Sequence, residues 1–171
     1  DNNVNITLPF TFTLRGKAYT DINLFADGYL VLGLADGATT SNVCLPNLSD
    51  PQAAIYGWWA DLDPSATGAT VSTFQPAADR YVVEFANVPS VNVTPKYRVS
   101  FQIVLYANGD IGLNYQQTPD LQTAPPNVTV GIEAVDGRFY NQVACKDDHT
   151  ELGILPGANQ SVLFNNPKDI Y

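Results

Sequence analysis

The sequence predicts an all-β domain, a two-sheet antiparallel sandwich of jelly-roll type, and three observations carry that expectation. The first is a pair of strand–glycine turn–strand runs, one around Asp27-Gly28 within Ile22–Gly33 and one around Asn108-Gly109 within Tyr97–Tyr115. Asp-Gly and Asn-Gly accept the positive φ that a two-residue type I′ turn demands, and that turn's twist matches the flanking strands. The second is spacing: ten or eleven short runs of β-forming residues recur at 8–15-residue intervals with turn residues between them, as in sandwiches and jelly rolls. The third is that no segment carries a helix-period pattern long enough to support a Rossmann, P-loop or bundle site, so no helix longer than about two turns is expected. Such a chain is a scaffold with surfaces before it is a reaction vessel.

The strands follow in order. Leu8, Phe10, Phe12 and Leu14 alternate with polar residues over Leu8–Leu14, the period of a half-buried strand. Arg15-Gly16-Lys17 turns the chain into Ala18–Phe25, and the first glycine hairpin follows. Residues 35–53 are rich in Asp, Gly, Thr, Ser, Asn and Pro and read as loop. Ala54–Ala60 is an apolar run containing Trp58-Trp59. Ala69–Phe74 pairs with Arg80–Phe85, and the second hairpin spans Lys96–Tyr115. After a proline-rich stretch come Val128–Val135, a turn at Asp136-Gly137, Phe139–Ala144 and a last strand, Ser161–Phe164. No low-complexity tract or repeat period interrupts this succession.

A chain of 171 residues, 45% hydrophobic, buries about two-thirds of its unfolded surface in one core, so residues 1–171 are expected to form a single domain. The start at Asp1 and the lack of Met read as a mature or excised piece of a longer secreted product. The net charge of −9, with only eight Lys and Arg, argues against nucleic acid, whose affinity comes from clustered cations on phosphates. It argues equally against an anionic membrane surface, and no apolar run approaches the roughly 20 residues of a membrane helix.

Cys44 and Cys145 allow two readings. Joined, they close a loop of about 100 residues, worth on the order of 4–5 kcal/mol in the chain-entropy model; unjoined, they are buried thiols of a cytosolic protein. Both border loop-like sequence, and low Lys with abundant Asn, Thr, Ser and Tyr suits an extracellular protein, so the bridge and export are expected together. No second Cys or His stands at zinc spacing from either.

The most unusual local sequence is Tyr56-Gly57-Trp58-Trp59-Ala60-Asp61-Leu62-Asp63-Pro64. In an extended segment Asp61 and Asp63 project from one face. Such a pair can ligate a hard cation, Ca²⁺, which takes six to eight oxygens, or it can cap a turn before Pro64. Trp58 and Trp59, on adjacent strand positions, face opposite sides, so one belongs to the core and the other is a candidate surface aromatic of the kind that stacks on sugars; packing is the competing role for both and for the strand tyrosines. Catalysis is poorly provided for. His149 is the only histidine, no serine sits in a Gly-x-Ser-x-Gly elbow, and Glu84 and Glu133 lie in strand-like segments where outward solvation is expected. Five Asn-x-Ser/Thr sequons, at Asn5, Asn47, Asn92, Asn127 and Asn159, would be glycan acceptors in a eukaryotic secreted protein.

The order of elements resembles a known family. The stretches are Leu8-Pro9-Phe10-Thr11-Phe12-Thr13-Leu14-Arg15-Gly16-Lys17-Ala18-Tyr19-Thr20-Asp21-Ile22, the Ala26-Asp27-Gly28-Tyr29-Leu30-Val31-Leu32-Gly33 hairpin, Gly57–Pro64, Asp79–Val88, Phe101–Ile111 and Val130-Gly131-Ile132-Glu133. Over roughly residues 8–135 they resemble the β-sandwich accessory domains appended to secreted bacterial proteins, often subtilisin-like peptidases or cell-surface proteins, and are more distantly similar to the extracellular nidogen-type domain. The resemblance implies a non-catalytic, extracellular module whose partner is a neighbouring domain of the same polypeptide, or a cell-surface polysaccharide or protein. No catalytic residue carries over. Asp61 and Asp63 match the family's acidic pair after the tryptophan. The region from Asp136 onward, with Cys145 and His149, matches less clearly.

Overall fold

A computed structural model of the chain describes residues 3–33, 41–49, 53–91, 93–120, 127–137, 139–147 and 151–166. Among these residues it contains twelve strands and a single turn of 3₁₀ helix, Val135–Gly137. The strands are β1 (Asn3–Leu14), β2 (Lys17–Phe25), β3 (Tyr29–Leu32), β4 (Ala54–Trp59), β5 (Thr70–Ala77), β6 (Arg80–Pro89), β7 (Arg98–Tyr106), β8 (Ile111–Gln117), β9 (Val128–Glu133), β10 (Tyr140–Lys146), β11 (Glu151–Gly153) and β12 (Ser161–Phe164). They form a seven-stranded sheet, in order β1-β2-β3-β4-β9-β10-β11, and a five-stranded sheet, in order β12-β8-β7-β6-β5. Every pairing is antiparallel.

The expected two-sheet sandwich is therefore present. Its connectivity is a set of meanders, β1–β4, β5–β8 and β9–β11, rather than the strand-by-strand alternation between sheets that defines a jelly roll. Successive strands within each meander lie side by side, so the chain changes sheet only after β4, β8 and β11.

The turns also depart from expectation. A two-residue type I′ turn needs positive φ at both central residues, and this occurs at Arg15 (φ 50°) and Gly16 (φ 78°), between the paired Leu14 and Lys17. At the two anticipated sites only the glycines are left-handed, Gly28 at 83° and Gly109 at 90°. The Gly28 and Gly109 amides donate to the Phe25 and Tyr106 carbonyls, which makes both a three-residue loop closed by a glycine bulge rather than a two-residue turn. At Gly28 no side chain fits, because a Cβ there would stand 2.2 Å from the Trp58 carbonyl oxygen.

Two apolar clusters result. The large one fills the space between the sheets and includes Phe12, Ile22, Ile55, Trp58, Phe85, Phe101, Ile103 and Leu113. The second lies on the opposite, outer face of the seven-stranded sheet and consists of Phe25, Tyr29, Val31, Leu45, Ala54, Tyr56 and Trp59. A register shift between Tyr56 and Trp59 turns Trp58 into the sandwich and Trp59 onto the outer face. The neighbouring tryptophans thus do face opposite sides, but both are fully buried. Neither is a surface aromatic, because the outer face is itself covered.

Candidate functional site

The cover is the segment 41–49, which crosses the outer face of β4, β9 and β10 and is fastened at several points. Cys44 is bonded to Cys145 of β10, with Cα atoms 5.4 Å apart. The Asn42 side-chain amide donates to the Lys146 carbonyl (2.8 Å), and Thr129 Oγ1 donates to the Val43 carbonyl (2.8 Å). The Leu45 amide donates to Gln142 Oε1 (2.7 Å) and the Asn47 amide to Glu133 Oε1 (2.7 Å). Leu45 lies over Gly131, the residue of β9 that pairs with Tyr56. Beneath this strap Tyr56 stacks on Trp59 (ring centroids 4.8 Å) and Phe25 on Tyr29 (4.6 Å).

Glu133 is fully buried under the same strap, where the sequence suggested solvation. β9 is a central strand covered on both faces, a setting in which even a strand's outward positions lose water. One carboxylate oxygen takes the Asn47 amide and the other the Tyr56 hydroxyl (3.4 Å). Burial pushes the Glu133 carboxyl above its ordinary range, against the pull of those two donors. Burial, then the Glu133 charge, pushes the Tyr56 hydroxyl up. Glu84 differs. It faces outward on the five-stranded sheet, in a row of cross-strand partners where Gln102 Nε2 donates to Glu84 Oε2 (2.6 Å) and Ser161 Oγ to Asn114 Oδ1 (2.9 Å).

A second constellation lies where β4 ends. The segment 60–63 is held between the β2–β3 turn and the end of β6: the Ala60 amide donates to the Asp27 carbonyl (3.2 Å), the Asp63 amide to the Pro89 carbonyl (2.9 Å) and the Val91 amide to the Asp61 carbonyl (3.0 Å). Asp27 is only 2% exposed. Its Oδ1 accepts the Leu62 amide (3.3 Å), while its Oδ2 is buried with no hydrogen-bond partner. Burial pushes the Asp27 carboxyl up to about 6; the Leu62 amide opposes that shift and the Asp61 charge adds to it. Tyr97, whose hydroxyl accepts the Trp58 indole N–H (3.3 Å), is pushed up to about 12 by burial, with the Asp61 charge again adding.

Asp63 is occupied otherwise. Its Oδ1 accepts both the amide (3.0 Å) and the hydroxyl (2.5 Å) of Ser65, which caps the turn that closes at Ala66. Those bonds, led by the hydroxyl, hold its carboxyl below the usual range. Asp61 is therefore electrostatically coupled to Asp27, a residue that sequence reasoning passed over as part of a hairpin turn. Among the described residues, the one set of three close thiol or carboxylate donors is Cys44, Cys145 and Asp147, and both of its sulfurs are consumed by the disulfide.

A third feature is a cleft of about 300 Å³ at one end of the sandwich, lined by Arg15, Ile132, Phe139, Tyr140, Asn141 and Asn165 among others. Phe139 and Tyr140 are about half exposed, and the Arg15 guanidinium lies 5.0 Å from the Phe139 ring centroid. Among the described residues the exposed aromatics are thus Phe74 on β5, Phe139 and Tyr140, and not the tryptophan pair. His149, the one histidine, lies outside the described residues, as does Asn92 of the third sequon.

No curated protein and no solved structure matches the sequence. One family model does, the one described as NIDO related, and it spans residues 1–166. It takes in the whole sandwich, the strap and both cysteines, and so reaches well past residue 135, where the resemblance read from the sequence ended. On the strength of that match over nearly its full length, the chain belongs to the NIDO-related family.

Proposed function

We propose that this chain is a non-catalytic, extracellular accessory or binding module of a larger secreted or cell-surface protein. The observation that carries the proposal is the family match over residues 1–166, which makes almost the entire chain one nidogen-related unit. The Cys44–Cys145 bridge supports export, since such bonds persist in oxidising compartments. In the more specific form of the proposal the neighbouring domain is a subtilisin-like peptidase, which this module stabilises, targets or anchors. The test compares the natural polypeptide with a version lacking this module. Lower thermal stability or loss of surface retention, with the neighbour's chemistry intact, is the expected result. Hydrolysis of casein or a soluble polysaccharide by the isolated chain would overturn it in favour of a hydrolase.

A second reading, a carbohydrate-binding or adhesive domain, draws on the Arg15–Phe139–Tyr140 cleft. A half-exposed ring beside uncrowded polar groups is the usual platform for a sugar face. A glycan array probed with the wild-type chain and with Phe139→Ala tests it: signal lost in the variant supports the cleft, and an array without signal removes this reading while leaving the accessory role standing.

A further inference from the structure

We propose that Asp27 and Asp61 form a divalent-cation site, suited to Ca²⁺, where the β2–β3 turn meets the segment leaving β4. This goes beyond the module role and does not rest on it. Buried polar atoms in native proteins are almost always satisfied, and an orphan calls for an explanation such as a water or an ion. Among the described residues Asp27 Oδ2 is the one buried side-chain oxygen or nitrogen without a partner. It belongs to a carboxylate, the group for which lack of compensation is most costly.

Its surroundings narrow the remedy. The Leu62 amide, which bonds Oδ1, fixes the Asp27 side chain against the turn that carries Asp61. Asp61 is only partly buried, which gives a cation access from solvent and leaves room for water in its coordination shell. Two carboxylates with, among the described residues, neither His nor Cys beside them make a hard-oxygen donor set, which selects Ca²⁺ over transition metals, and a net charge of −9 raises the local cation concentration. The scaffold is rigid, because the Gly28 backbone packs directly on the Trp58 carbonyl. Asp63 is the weaker candidate, since its Oδ1 already accepts the amide and hydroxyl of Ser65. The proposed site shares Asp61 with the Asp61–Asp63 pair that the sequence suggested and takes its second carboxylate from a buried aspartate of another strand connection.

Terbium(III), a luminescent stand-in for Ca²⁺, is excited through a nearby tryptophan, and Trp58 adjoins the site. Titration of the folded chain with Tb³⁺ should give sensitised emission that Ca²⁺ displaces with a dissociation constant of about 10⁻⁴–10⁻³ M, the range of weak extracellular sites. Asp27→Asn and Asp61→Asn should each weaken Ca²⁺ binding by about tenfold or more, as expected when a charged ligand is removed. Asp63→Asn should leave it unchanged. Circular dichroism of each variant in EDTA checks folding, and Asp27→Asn, which loses only a buried charge, should melt no lower than the wild type there. Absence of Ca²⁺-displaceable emission overturns the proposal. So does emission that survives Asp27→Asn but is lost in Asp63→Asn. An Asp27→Asn melting gain that is the same in EDTA and in millimolar Ca²⁺ also overturns it, because Oδ2 then carries a proton rather than a cation.

Discussion

Glu133 shows how much a single side chain depends on what covers it. Its carboxylate links the strap, through the Asn47 amide, to the aromatic stack, through the Tyr56 hydroxyl, and it does so while fully buried. Its folded pKa is raised, so its contribution to stability is fully present below the unfolded glutamate pKa and is lost as pH rises through the folded value. Glu133→Gln keeps an acceptor for the Asn47 amide and carries no charge. The variant should therefore melt above the wild type at pH 7.5, and the gap should close towards pH 4; a gap independent of pH would contradict this account. The tryptophans permit an equally direct check. Trp58 and Trp59 are both fully buried, in different clusters, so Trp58→Ala and Trp59→Ala should each cost about 3–5 kcal/mol in urea melts. A surface tryptophan would cost within about 0.5 kcal/mol.

Turns and straps behave as units. Gly16 and Gly28 share a left-handed backbone, yet a Cβ at Gly16 meets nothing within 4 Å, whereas one at Gly28 collides with the Trp58 carbonyl. Gly16→Ala should cost only the backbone strain, about 1–2 kcal/mol. Gly28→Ala should cost clearly more, because β4 must shift to admit it; equal losses in denaturant melts would contradict the packing described. The strap is the larger unit. Its bridge spans 101 residues of sequence, and cross-links of that span are worth about 4.7 kcal/mol in the chain-entropy model. The Cys44→Ser, Cys145→Ser double variant should melt lower by on the order of 10 °C, taking roughly 2–4 °C per kcal/mol for a chain of this size. It should also show greater hydrogen exchange at the Leu45 and Asn47 amides, which the strap holds on Gln142 and Glu133.

For the molecule as a whole, the sandwich was legible because period-two alternation and glycine turns are local signals, and local signals place β2, β4, β7 and β8 within a few residues, whereas β1 begins at Asn3, five residues before the expected Leu8. The three-residue β11 was not legible: it pairs with β10 at the sheet edge, and its Glu151-Leu152-Gly153 sequence carries no strand pattern. Sheet order was equally hidden, since adjacency of β4 to β9 and of β8 to β12 is set by packing across long connections. The candidate sites were the least legible, for the same reason. The segment carrying Asp61 reaches Asp27 only because the β2–β3 turn and the exit of β4 pack together, and Glu133 is dry only because a distant loop lies over it. Neither fact leaves a trace in the residues beside them.

The central claim is that this chain works outside the cell as one disulfide-closed NIDO-related module. Its most direct test is non-reducing peptide mapping of the protein recovered, after rapid alkylation, from the medium and surface fraction of the organism that makes it. The expected result is a single cross-linked species joining the peptides of Cys44 and Cys145 in that extracellular fraction, and one that separates on reduction. Recovery of the chain only from the cytosol, with both cysteines alkylated before any reductant is added, would contradict it.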